Sequence, residues 1–115
     1  MTLIFDTETT GLVKHPAAKD SVQPQIIEWA GVLVDTKGNV ANQWDVLINP
    51  GRPLPEEIVK ITGSTDEMLK GEKPFVKVMG KVRLFYEWAD RMISHNLPFD
   101  KGMMDLELAR AGVLG

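Results

Sequence analysis

The sequence predicts a layered α/β or α+β domain built on a mixed sheet, with elements in the order β-β-β-α-β-α. Three observations carry that reading. Two β-prone runs flank Ile26–Val34, a nearly unbroken apolar stretch that reads as a central strand. Apolar residues then recur at helical spacing from Phe75 to Ala89. Finally, Arg91–His95 leads through Pro98 into a second helical pattern, which makes a strand-to-helix junction. At 115 residues and 12.8 kDa the chain fits one domain, residues 1–115, and leaves no room for a second core.

Thr2–Phe5 is a short apolar strand that runs into the acidic segment Asp6-Thr7-Glu8-Thr9-Thr10-Gly11. Residues 13–25, rich in Pro, Lys and Ser, read as a loop, and the central strand follows. Asp35-Thr36-Lys37-Gly38-Asn39 has turn chemistry, with Gly38 and Asn39 able to take positive φ. Beyond it Trp44, Val46 and Ile48 alternate with Asp45 and Asn49, the pattern of a half-buried strand paired back onto its predecessor. Pro50-Gly51-Arg52-Pro53 ends the meander. Pro55-Glu56-Glu57 opens a helix with carboxylates at its positive end, and Gly63 closes it. Ser64–Glu67 caps a short helix ending at Gly71, and a longer amphipathic one runs from about Pro74 to Asp90. The last helix spans Phe99–Ala111, closed by Gly112.

Composition excludes several classes. Hydrophobic residues are 43% and charged residues 25%, so the chain can build a core and is not of the disordered type. Net charge is −3 and the pI is near 5.3, which excludes a strongly basic nucleic-acid coat. The absence of cysteine excludes disulfides, thiolate metal sites and cysteine nucleophiles. The longest uncharged apolar stretch, Trp29–Val34, falls far short of the roughly 20 residues that span a bilayer. No secretory leader precedes Thr2–Phe5, so the expectation is a cytoplasmic protein with no membrane partner.

Two constellations could carry chemistry. Asp6 and Glu8, two apart on a strand, present their carboxylates on one face. Like charges held close need a proton or a cation between them, and oxygen-only ligands suit Mg²⁺ or Mn²⁺. Two carboxylates fraying into a solvated loop would show the same spacing. The second constellation is Ser94-His95-Asn96-Leu97-Pro98-Phe99-Asp100, where a strand passes into a helix. Open α/β sheets place ligand sites at such strand ends, and Asp100 would join Asp6 and Glu8 if the two strands are neighbours. A first-turn dipole partner and a helix-entry Asn would explain the same residues without chemistry.

Taken together, these segments resemble a known family. Phe5-Asp6-Thr7-Glu8-Thr9-Thr10-Gly11-Leu12 resembles the first motif of the DEDD 3′–5′ exonucleases, and His95–Asp100 resembles the second. Ile26-Ile27-Glu28 resembles the family's second strand, and Ile61–Leu69 the segment that shapes its substrate pocket. The pattern is similar to that of the proofreading exonuclease of the bacterial DNA polymerase III epsilon-subunit type, in order and over essentially the whole chain. The resemblance implies a ribonuclease H-like fold and hydrolysis of a phosphodiester at a 3′ end by two Mg²⁺ or Mn²⁺ ions, roughly 3.5–4 Å apart. It makes Asp6, Glu8 and Asp100 the catalytic metal ligands, with Asp6 shared between the ions. Glu8 and the backbone at Thr9 would receive the 3′-hydroxyl, and Leu12 would pack on the last base. Glu57 and Thr62 fall where the family contacts the terminal nucleotide, although many relatives carry His at the Thr62 position. His95, Asn96 and Phe99 would shape the site.

The family's third motif, a His or Tyr followed by a fourth metal-ligating Asp on a further strand and helix, is not among these residues. His15 lies in the loop after the first motif and is expected to be solvated, as are Asp105 and Glu107 on the last helix. The expectation is a C-terminally truncated domain whose strand near Met92–His95 sits beside the first strand and is open on its other edge. Such an edge recruits a second copy or a completing polypeptide, for example a polymerase subunit. Two functions stay open: a metal-dependent 3′–5′ exonuclease, or a catalytically inactive module that binds nucleic-acid ends, metal or a polymerase partner. A scaffold with accidental motifs is a third. Nothing identifiable reads a 2′-hydroxyl, and the resemblance puts DNA ahead of RNA as substrate.

Overall fold

The computed structural model describes residues 1–11, 24–95 and 97–110, with Phe99, Leu108 and Arg110 described in backbone only. The element order is β1 (Thr2–Thr9), β2 (Ile26–Val34), β3 (Val40–Leu47), α1 (Glu56–Thr62), α2 (Asp66–Leu69), α3 (Phe75–Trp88), β4 (Arg91–Ile93) and α4 (Leu97–Arg110). Leu12, His15, Asn96, Val113 and Leu114 lie outside the described residues, and so does the side chain of Phe99.

β1, β2 and β3 form the antiparallel meander, and β4 adds to β1 in parallel, giving the sheet order β3-β2-β1-β4. β2 is central, as its sequence implies. Its residues nevertheless alternate: Trp29 and Leu33 are buried, while Glu28, Ala30, Val32 and Val34 are only half-buried. Among the described residues, one face of the sheet is covered by helices and the other is open.

The β2–β3 turn follows its chemistry. Asp35 Oδ1 accepts the backbone N–H groups of Lys37 and Asn39, each at 2.9 Å, and Gly38 takes φ 84°. Asn39 keeps a negative φ, so Gly38 alone supplies the left-handed residue there.

The covered face holds the core. Leu3, Phe5, Ile26, Trp29 and Leu33 from the strands meet Phe75, Val78, Val82 and Phe85 of α3 and Met103 and Met104 of α4. The α3 residues lie on one stripe of the helix, as their spacing requires. Trp29 sits at the centre, 5.3 Å from the Phe85 ring and 6.1 Å from Trp44. Its indole lies over Gly31, where a Cβ would stand 2.3 Å from Trp29 Cη2. Gly31 is therefore fixed by close approach.

A register shift between Glu8 and Thr9 pairs Glu8 with Glu28 and Thr9 with Ile26, leaving Ile27 as the extra residue. Ile27 turns into a separate cluster with Leu54 and Leu69, which seats α1 and α2. Those helices are built as their signals suggest. Gly63 closes α1 at φ 76°, and the Thr65 side chain accepts from Met68 N to start α2.

Three expectations are corrected. β1 continues through Asp6 and Glu8 to Thr9, because the β2 partner runs alongside it all the way. α4 begins at Leu97, ahead of Phe99. Glu107 is buried, at 4% exposure, because its side chain faces the sheet and accepts Ile26 N–H at 3.0 Å; Asp105 is exposed as expected.

Candidate functional site

Alternation along β1 sorts its residues between the two faces. Leu3, Phe5 and Thr7 point to the helices, and Ile4, Asp6 and Glu8 to the open face. The registers then bring more acids to the same face. Glu8 lies opposite Glu28, Asp6 opposite Ala30, and Ala30 opposite Asp45. Asp100 enters from the other side of the sheet, on the first turn of α4, and is 3% exposed. Its Oδ1 accepts the Thr7 hydroxyl at 2.5 Å.

These carboxylates sense one another. Partial burial, then the charges of Asp6 and Asp100, raise the Glu8 carboxyl above its ordinary range. Glu28 is pushed up to about 7, first by its hydrogen bond with Asp45, then by burial and by the charges of Asp45, Glu8 and Asp6. No Lys or Arg forms an ion pair with any of these acids among the described residues; the ion pairs present are Met1–Asp90, Lys60–Glu56 and Arg83–Glu87. The result is a negative cluster at one end of β1 that no described Lys or Arg pairs with.

Asp6, Glu8 and Asp100 are thus within electrostatic reach, but no three described His, Asp or Glu side chains are close enough together to hold one ion. His95 is exposed and lines the same open-face hollow as Asp6, Ala30, Val32 and Asp45. Thr9 is occupied locally: its hydroxyl donates to Gly11 O at 2.8 Å and accepts from Gly11 N at 3.3 Å. Glu57 is exposed on the first turn of α1. Thr62 Oγ1 donates to Ile58 O at 2.8 Å and accepts from Ser64 N at 3.1 Å, finishing that helix. No hydrogen bond or ion pair ties Glu57 or Thr62 to the acid cluster among the described residues.

The sequence reading missed the parts played by Thr7, Glu28 and Asp45. The strand registers place them, and a period-two count carried across the hairpins would have brought Asp45 to the face of Asp6.

A family model described as an exonuclease, RNase T, matches residues 3–114. The chain belongs to the RNase T exonuclease family. Family relatives include the PolC-type DNA polymerase III of Pediococcus pentosaceus, 38% identical over 111 residues, and that of Listeria welshimeri, 35% identical over 112. Each match covers 96% of this chain and 7% of the relative. Among solved structures, Exonuclease X in complex with 5′-overhanging duplex DNA superposes with a TM-score of 0.69 at 27% identity, covering 90% of this chain and 54% of that one. The nuclease domain of 3′hExo, a DEDDh family member bound to rAMP, gives 0.72 at 15% identity, covering 97% of this chain and 60% of that one. E. coli Exonuclease I with a dT13 oligonucleotide gives 0.77 at 19%, covering 96% of this chain and 24% of that one. The last two likenesses establish the ribonuclease H-like exonuclease fold.

Proposed function

We propose that these 115 residues form the metal- and 3′-end-binding part of a metal-dependent 3′–5′ exonuclease of the proofreading type. The observation that carries this reading is the group of Asp6, Glu8 and Asp100, mutually repelling and without a basic partner among the described residues. Membership of an exonuclease family supports it. The donor set fits a hard divalent cation, Mg²⁺ or Mn²⁺, in being anionic and made of oxygen alone. Asp6 and Glu8 would hold it from β1, and Asp100 from α4. When bound, such cations offset charge on the phosphate and ready a water for attack.

The remaining roles belong to the protein. Glu8 and the Thr9 backbone would anchor the terminal 3′-hydroxyl, with Leu12 against the last base. Glu57, Thr62, His95, Asn96 and Phe99 would shape the pocket. A net charge of −3 favours a short grip on the strand end over a long phosphate track. DNA is the favoured substrate, and a polymerase the favoured partner, because the sequence relatives are PolC-type DNA polymerases.

A 5′-labelled single strand incubated with the protein and Mn²⁺ tests the reading. Stepwise shortening from the 3′ end is expected, abolished by EDTA and by Asp6→Ala or Glu8→Ala. Shortening that survives EDTA contradicts it. One observation favours a second reading, a catalytically inactive module that binds strand ends or a polymerase partner: no three described acids gather closely enough to hold an ion. Saturable binding of the strand end without any shortening would select that module.

A further inference from the structure

The strand registers lay two rows across the open face. Gln43, Val32, Ile4 and Ile93 form one, and Asp45, Ala30 and Asp6 form the next. The first row is apolar but for Gln43, and the second ends in a carboxylate on each side. Together they line a hollow of about 860 Å³. On the far side of the molecule, α3 carries a matching pattern. Val76, Gly80, Leu84 and Trp88, four residues apart, make an outward ridge about 18 Å long. Val76 is 48% exposed, Leu84 43% and Trp88 44%. Nothing lies within 4 Å of where a Cβ on Gly80 would stand, so the ridge is notched at its middle. Lys77 and Lys81 form the neighbouring ridge, with Lys73 just ahead of the helix, and none of the three is in an ion pair among the described residues. Lys81 lies over the Trp44 ring, and on the other flank Arg83 pairs with Glu87 at 3.8 Å.

An apolar row beside acids thus faces one way, and an apolar ridge beside lysines faces the other. We propose that these two surfaces dock on each other between copies of the chain, the outer side of α3 in one copy covering the open sheet face of the next. Four strands make the apolar row about 14 Å wide, which the ridge spans. A helix laid on a bare sheet face completes the usual layering of such domains. Pairing of like faces is opposed, because it sets acids against acids or lysines against lysines. The contact is therefore heterologous, and each assembly that does not close on itself keeps one free face of each kind at its ends. This goes beyond the exonuclease reading and does not depend on a bound cation.

The test is sedimentation equilibrium of the 115-residue chain in EDTA, for wild type, Leu84→Gln, Ile93→Gln and an equimolar mixture of the two variants. Wild type should show masses that rise with concentration past the dimer, and should associate less as NaCl goes from about 50 mM to about 500 mM. Each substitution puts an unpartnered amide into the contact, so each variant alone should associate at least about tenfold more weakly. The mixture should regain wild-type affinity yet stop at two chains, because each variant keeps the face that the other has lost. A monomeric wild type overturns the proposal. Wild-type association by Leu84→Gln also overturns it, since the open faces or strand edges would then meet without α3. A mixture that associates no more tightly than its components does the same. If Leu84→Gln does not melt cooperatively, Val76→Gln takes its place under the same criteria.

Discussion

Glu8 and Glu28 face each other across the β1–β2 pairing, and neither has a basic neighbour in an ion pair among the described residues. The consequence is a definite pH dependence. The folded chain holds a proton on Glu28 up to about pH 7, chiefly through the bond with Asp45, whereas the unfolded chain releases it near 4.5. Stability therefore falls as pH rises from about 4.5 to about 7, because the folded state binds more protons than the unfolded one across that window. Asp35, held below its ordinary 3.8 mainly by the Asn39 N–H, acts only at lower pH and in the opposite sense. Melting temperature measured across the upper window should decline in wild type and flatten in Glu28→Gln. A flat wild-type profile would mean that the acids do not interact. At this scale the sequence was readable where one strand suffices: period two puts Asp6 and Glu8 on one face. The bond of Thr7 to Asp100 and the place of Glu28 opposite Glu8 come from contacts between elements, which spacing along one strand does not encode.

At the scale of elements, β2 and α3 follow their patterns closely, because each has a strong periodic stripe and a partner that buries it. β1 outruns its expected end because strand pairing with β2 overrides the polar character of Asp6, Thr7 and Glu8. Glu107 on α4 defeats composition in a similar way. A glutamate on a helix reads as solvated, but this one satisfies the Ile26 N–H at the start of β2. The tightest fit between residues of one strand is Gly31 beneath Trp29. A methyl there would stand 2.3 Å from the buried indole, in a region where Phe85 and Trp44 leave no slack. Gly31→Ala should cost about 1–3 kcal/mol through overpacking, read as a lower urea midpoint at unchanged m-value. An unchanged midpoint would show that Trp29 can move aside.

For the whole molecule, the decisive asymmetry is a sheet that the described residues cover on one face only. On the open face Ile4 is 44% exposed and Ile93 48%, with Ala30 and Val32 half-buried beside them. β4, three residues long, is the edge beyond β1, and Arg91 at its start is its only charged residue. Edges and apolar faces of this kind associate. Sedimentation equilibrium at micromolar concentration should show self-association that Ile93→Lys reduces; a monodisperse monomer would show that the face is tolerated in water. The ribonuclease H-like architecture was legible from the order of elements and two motifs, whereas the openness of this face depends on which layers pack where. The central claim is that the acids around β1 hold a divalent cation. Electron paramagnetic resonance of free Mn²⁺ titrated with the protein tests it most directly. Saturable binding is expected, weakened at least about tenfold in Asp6→Asn, since loss of even an outer-shell group costs that much. Equal isotherms for the two proteins, or no binding by either, would contradict it.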